Sequence, residues 1–144
     1  MILLDTDHIS VLQRGMGEQC DRLKERMLAI VASGESVVAP VIAYEEQMRG
    51  WLAVIAKARV TQRQVEPYRR LVQFAQFFGK FVLVDFTEPA ADKFDELRRS
   101  GIRIGTMDLK IAAVALVNDA LLLTANRRDF IQVPCLRMDN WLAP

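Results

Sequence analysis

Four acidic residues stand far apart along this chain: Asp5, Glu46, Asp108 and Asp129. Asp5 closes the apolar start Met1-Ile2-Leu3-Leu4, Asp108 opens the apolar run from Leu109 to Leu116, and Asp129 follows Leu121-Leu122-Leu123-Thr124. Carboxylates that a fold gathers at the ends of core elements make an oxygen-rich site for a hard divalent cation. Such a cation lowers the pKa of a bound water and neutralises charge on a phosphate, so the chemistry indicated is phosphodiester cleavage. Polar side chains accompany the acids. Thr6 and Asp7 follow the first, and Thr124, Asn126, Arg127 and Arg128 lead into the last.

The elements that must position these residues alternate between strand and helix. The runs 2–4, 37–39, 81–84 and 121–124 are apolar and too short for helices, so they read as strands. Residues 136–138 read as a last short strand, with Trp141 and Leu142 packing the tail. Helices are predicted over 9–13, 19–33, 43–58, 61–78, 90–99 and 107–118, with Gly34 as a stop and Pro67 as a kink or restart in the fourth. Alternating strands and helices predict an α/β fold with a mostly parallel sheet covered on both faces. The strands are uniformly apolar, as strands buried on both faces are. Ligands of such sheets bind beyond the carboxyl ends of the strands. Asp5 and the segment after Thr124 lie at such ends, which predicts one cleft from two distant positions.

Each acid also has an ordinary explanation. Thr6 or Asp7 would cap the helix after the first strand, which leaves Asp5 unexplained. Glu45 and Glu46 are placed to pair with Arg49 along one helix face. Thr106 would cap the helix of Asp108, although a helix start can also present amides to a phosphate. Turn chemistry covers Asn126 and Asp129 but not the polarity of this turn beside so apolar a strand. His8 is the only histidine and has no evident partner, so it is expected as a helix residue without a catalytic role. Lys110, just inside the helix of Asp108, is expected to be exposed.

Composition narrows the rest. One domain over residues 1–144 is expected, with half its residues apolar and no repeat or linker. Cys20 and Cys135 have no metal-site spacing and read as packed, reduced thiols. No apolar run reaches the roughly 20 residues of a bilayer span. No basic segment followed by a long apolar one marks a signal peptide, so a cytoplasmic protein is expected. The net charge of +1 excludes no partner. Residues 57–70 carry Lys57, Arg59, Arg63, Arg69 and Arg70 against Glu66 alone, which either tracks a phosphate backbone or is a solvated helix face.

Four segments taken in order make the chain resemble PIN-domain proteins of the VapC ribonuclease-toxin type. They are Leu4-Asp5-Thr6-Asp7-His8-Ile9-Ser10, Glu46-Gln47-Met48-Arg49-Gly50, Asp108-Leu109-Lys110-Ile111-Ala112-Ala113 and Thr124-Ala125-Asn126-Arg127-Arg128-Asp129-Phe130. The resemblance spans nearly the whole chain and implies a three-layer PIN-like domain. It implies that Asp5, Glu46 and Asp108 are the core acids, with Asp129 the fourth and more variable one. Mg²⁺ or Mn²⁺ would be held by these four. Thr6, Asp7, Thr124 and Asn126 would support them, and Arg127, Arg128, Arg59 and Arg63 would be placed to contact RNA. Asp7 stands where the family more often has Asn, and only the spacing to Gly50 selects Glu46 over Glu45.

The activity so implied is metal-dependent endoribonuclease, as the toxin of a toxin–antitoxin pair. The partners implied are an RNA substrate, a cognate antitoxin and a second copy in a homodimer, with promoter DNA reached only through the antitoxin complex. The alternative is a catalytically silent PIN-fold module for nucleic-acid binding or assembly, against which the retention of all four acids weighs. A nucleotide-binding α/β domain is a third reading, but neither GxGxxG nor GxxxxGK[ST] occurs.

Overall fold

The computed structural model describes every residue from Met1 to Pro144. Five parallel strands and seven helices build it. In chain order they are β1 (Ile2–Leu4), α1 (Thr6–Arg14), α2 (Glu18–Ala32), β2 (Val37–Pro40), α3 (Val41–Lys57), α4 (Val65–Phe78), β3 (Leu83–Val84), α5 (Glu88–Arg99), α6 (Thr106–Val117), β4 (Leu121–Leu123), α7 (Arg127–Phe130) and β5 (Met138–Asp139). The sheet order is β3-β2-β1-β4-β5, with every pairing parallel.

Successive strand residues point to opposite faces, and both faces are apolar here. Leu3, Val38 and Leu122 face one core with Leu97 of α5, Ile111 and Val114 of α6 and Phe130 of α7. Ile2, Leu4, Ala39 and Leu123 face the other with Ile9 of α1, Leu23 of α2 and Phe74 and Phe78 of α4. The result is the three-layer α/β architecture expected from the strand–helix alternation. Helix α6 is buried almost all round, from Ile111 through Ala115, because a helix apolar on every side can be satisfied only inside.

The local signals worked in detail. Gly15 ends α1 at φ 74° and its N–H donates to the Val11 carbonyl at 3.3 Å. Past α2, the Gly34 and Glu35 N–H groups donate to the Val31 and Ile30 carbonyls at 3.0 and 3.2 Å. That glycine cap closes the helix where Gly34 was expected to stop it. Several boundaries differ from expectation. The predicted helix over 61–78 divides into a 3-10 turn, Thr61–Gln64, and α4. Pro67 falls in the first turn of α4, where its missing N–H has no helical partner to lose. Strand β3 is only Leu83–Val84 rather than 81–84, paired in parallel with Ala39 and Pro40 at the end of β2. The final strand falls at Met138–Asp139 rather than 136–138, and α7 forms where only a polar turn was read.

The thiols divide as well. Both are free, and Cys20 is buried, but Cys135 is exposed rather than packed. No helix is long and apolar enough to cross a membrane.

Candidate active site

The chain runs outward from β1 through β2 to β3, then returns to lay β4 on the other side of β1. A crevice forms beyond the strand ends at such a switch point. Leu4 of β1 pairs with Leu123 of β4, so the next residues, Asp5 and Thr124, emerge side by side. The Asp5 N–H donates to the Leu123 carbonyl at 3.0 Å. The Thr124 hydroxyl donates to Asp5 Oδ2 at 2.7 Å, with both residues buried.

Asp5 also caps α1, a role expected of Thr6 or Asp7 instead. Its Oδ1 accepts from the Thr6 N–H at 2.7 Å. The reason is that α1 begins immediately after the strand, at Thr6, so the last extended residue becomes the cap. Freed from capping, the Thr6 hydroxyl reaches across to Glu46 Oε1 on α3 at 3.3 Å. Arg49 takes Glu45 instead, at 2.6 Å, which leaves Glu46 turned to the crevice. Asp108 lies in the first turn of α6, capped by Gly105 rather than Thr106, whose hydroxyl accepts from Arg98 at 3.0 Å. The Asn126 amide bridges the remaining pair, donating to Asp129 Oδ2 at 3.1 Å and, more weakly, to Asp108 Oδ2 at 3.4 Å. Asp5, Glu46, Asp108 and Asp129 thus come together, each held by a neighbouring hydroxyl or amide.

Electrostatics divides the acids into two kinds. Burial, then the charges of Asp7 and Asp108, push Asp5 up to about 6 against the bonds from Thr124 and Thr6. Burial also raises Glu46, with Asp108 and then Glu45 adding repulsion. Burial and the charges of Asp129 and Asp7 raise Asp108. Asp7 moves the opposite way. Its burial is outweighed by the His8 ring, the Ala125 N–H and the His8 N–H, so it lies below the ordinary carboxylate range. Asp5, Glu46 and Asp108 therefore lack compensating charge, whereas Asp7 is satisfied by its donors.

Such a donor set suits a hard cation, being made of carboxylate and hydroxyl oxygen. No three acidic side chains stand close enough for direct ligation by one ion. The fit is one of chemistry and charge, as for Mg²⁺, which keeps several of its waters.

The cations are arranged less tightly. Arg127 and Arg128 are exposed on α7 beside Asp129. Arg59 and Arg63 are exposed on the connection between α3 and α4, away from any bond to the acids. Arg69 and Arg70 are tied to Glu66 at 3.1 and 3.0 Å. Lys110 is partly covered rather than exposed, and sets its ammonium 5.7 Å from the centre of the Phe86 ring. Three shallow depressions lie along the face made by α1, α3 and α4, and none of the four acids lines them. Gln13 lines all three, beside Trp51 and Arg70 in one, Arg14 and Arg70 in another and Gln47 and Trp51 in the third, and its amide donates to Gln47 Oε1. Two partners of functional interest escaped sequence reasoning. His8 meets Asp7, its immediate neighbour, and the backbone of Trp141, which no local pattern links to it.

The PIN domain family model matches residues 2–134, and the chain belongs to that family. It is 33% identical to Ribonuclease VapC2 of Rickettsia felis over 69 residues, 45% of this chain and 52% of that protein. It is 31% identical to Ribonuclease VapC2 of Haemophilus influenzae over 80 residues, 53% of this chain and 61% of that protein. The matched stretches thus span little more than half the length of these curated relatives. Two solved structures share the fold over nearly all of both chains. VapBC2 of Rickettsia felis, bound to a DNA fragment from its promoter, gives a TM-score of 0.73 at 22% identity, covering 98% of this chain and 99% of that one. DNA-bound VapBC of Salmonella typhimurium gives 0.74 at 23% identity with the same coverage.

Proposed function

We propose that the protein is a metal-dependent endoribonuclease that acts as the toxin of a VapBC-type toxin–antitoxin pair, with residues 1–144 as one PIN domain. The observation that carries this reading is the set of three uncompensated carboxylates, Asp5, Glu46 and Asp108, gathered at the switch point of a PIN-family sheet. Ribonuclease relatives matching about half of each chain support it.

In this reading Asp5, Glu46 and Asp108 would hold Mg²⁺ or Mn²⁺ partly through its retained waters, and Asp129 would complete the set through its bridge to Asp108 by way of Asn126. When bound, the ion supplies a water of lowered pKa and positive charge at the scissile phosphate. Thr6 and Thr124 orient Glu46 and Asp5. Arg127 and Arg128, free of ion pairs on α7, meet the phosphate backbone, and Arg59 and Arg63 extend that contact. The depressions that share Gln13, one lined by Trp51 and another by Arg14, receive the strand beside the cut, through stacking on Trp51 and charge on Arg14. The partners are an antitoxin that covers the cleft, a second copy in a homodimer, and promoter DNA through the antitoxin.

The test is cleavage of a defined RNA by purified wild-type and Asp108→Asn protein, with Mg²⁺, with Mn²⁺ and with EDTA. The wild type is expected to cut only with metal, and the variant not to cut while keeping the wild-type circular dichroism. Cleavage by Asp108→Asn at the wild-type rate, or undiminished cleavage in EDTA, overturns the proposal.

A further inference from the structure

His8 is fully buried and bonded at both ring nitrogens. The Trp141 N–H donates to Nε2 at 3.2 Å, so Nε2 must carry a lone pair. The ring proton therefore sits on Nδ1, an assignment that follows from the bonding pattern. Nδ1–H donates to Asp7 Oδ1 at 2.6 Å.

Asp7 extends this connection. Its Oδ1 also accepts from the His8 N–H at 2.6 Å, and its Oδ2 from the Ala125 N–H at 2.7 Å. The Thr124 hydroxyl lies 3.5 Å from the same Oδ2 but 2.7 Å from Asp5 Oδ2, so its one proton goes to Asp5. Hydrogen bonds thus run from the backbone at Trp141 through His8 and Asp7 to the Ala125 N–H, and the peptide joining Ala125 to Thr124 carries the connection on to the bond with Asp5. Packing alone does not ask for this arrangement. A leucine would fill the pocket of His8, and Asp7 has no core to serve.

We propose that His8 is a positioning residue. It fixes the Asp7 carboxylate against Ala125, so that Thr124 presents its hydroxyl to Asp5 and the C-terminal segment at Trp141 sets the geometry of the acidic cluster. This rests on the reading of Asp5 as a ligand. It gives Asp7 a role distinct from the other acids: its charge is used up by donors on its own side of the site. The histidine tautomer makes the pairing specific to a carboxylate. An amide at position 7 would set its NH₂ against either the His8 Nδ1–H or the Ala125 N–H. His8 cannot relieve that conflict by moving its proton, because Nε2 must accept from Trp141.

The experiment compares wild type, His8→Leu, His8→Asn and Asp5→Asn. Because His8 is the only histidine, nitrogen-15 NMR of the wild type reads its tautomer directly. A protonated Nδ1 and a bare Nε2 are expected, and the opposite tautomer or two protonated nitrogens overturns the inference. Mn²⁺ affinity is then measured by electron paramagnetic resonance without RNA. Loss of an outer partner of a metal ligand weakens affinity or activity about 10- to 100-fold. His8 lies further out than Thr124, the direct partner of Asp5, so His8→Leu should weaken Mn²⁺ binding by about 10-fold, the low end of that range, while remaining folded. His8→Asn, whose amide can replace Nδ1–H, should recover most of it. Equal affinity in His8→Leu and wild type, with Asp5→Asn unable to bind, sinks the inference and spares the functional reading.

Binding of Mn²⁺ by Asp5→Asn at wild-type affinity sinks the functional reading. The inference is then decided by hydrogen exchange at the Ala125 amide. His8→Leu must release that amide, and undiminished protection overturns the positioning role.

Discussion

Replacing Asp5 by asparagine should make the metal-free protein more stable while removing the proposed activity. Moving this carboxyl from its ordinary 3.8 to about 6 in the folded state corresponds to about 3 kcal/mol, at roughly 1.36 kcal/mol per pH unit. The sign follows from the direction. A carboxyl raised on folding contributes stability that is fully present below its unfolded pKa and is lost as pH rises through its folded one. Near neutral pH the wild type has lost that contribution, and an asparagine never ionises.

The hydrogen bonds can accommodate the exchange. The asparagine oxygen accepts from the Thr6 N–H as Asp5 Oδ1 does. Its NH₂ donates to the Thr124 oxygen, and the Thr124 proton turns to Asp7, 3.5 Å away. That weaker contact costs about 1 kcal/mol, leaving a net gain of about 2 kcal/mol. For a domain of this size about 2 kcal/mol raises Tm by roughly 4–8 °C.

The assay is thermal unfolding of both proteins in EDTA, at about pH 7.5 and about pH 4. The gap should be present at the higher pH and be lost or slightly reversed at the lower, where Asp5 is protonated in the folded wild type and only the hydrogen-bond cost of the exchange remains. Glu46 and Asp108 are raised too, but they belong to both proteins, so the difference isolates Asp5. Added Mg²⁺ should stabilise the wild type alone, because ligand binding stabilises only a protein that binds it. An Asp5→Asn protein less stable than wild type near neutral pH, or a gap equal at both pH values, refutes the reasoning.

The two neighbouring glutamates should behave differently. Glu46→Gln should lower metal-dependent cleavage at least about 10-fold, whereas Glu45→Gln should leave the rate unchanged and cost at most about 0.5 kcal/mol, since its pair with Arg49 is a helix-surface one. Phe130 is fully buried behind Asp129, and Phe130→Ala should destabilise by about 3–5 kcal/mol in urea unfolding. Trp51→Ala should raise the KM for RNA without changing kcat, by the fold-change that about 1–3 kcal/mol of stacking implies. Arg127→Ala and Arg128→Ala should each weaken RNA binding and flatten its salt dependence, read from titrations at several ionic strengths.

Much of this molecule was legible in the order of its residues. Short apolar runs between longer helical ones require a buried parallel sheet, and β1, β2 and β4 fall within a residue of where the runs lie. Local rules also place the glycine cap after α2, because those interactions span only a few residues. Sequence position likewise puts Asp5 and Thr124 at strand ends. What local pattern could not decide is which groups face each other across the sheet. Glu45 and Glu46 have the same chemistry, and only the docking of α3 beside α1 turns one toward Thr6 and the other toward Arg49. The capping of α1 by Asp5 depends on where the ladder between β1 and β4 stops. His8 lacked a partner in the sequence because its second bond reaches the backbone of Trp141, brought near only when β5 closes the sheet. The raised carboxylates arise in the same way. Each is ordinary alone, and burial beside the others changes it, a property of the gathered fold that no single segment carries.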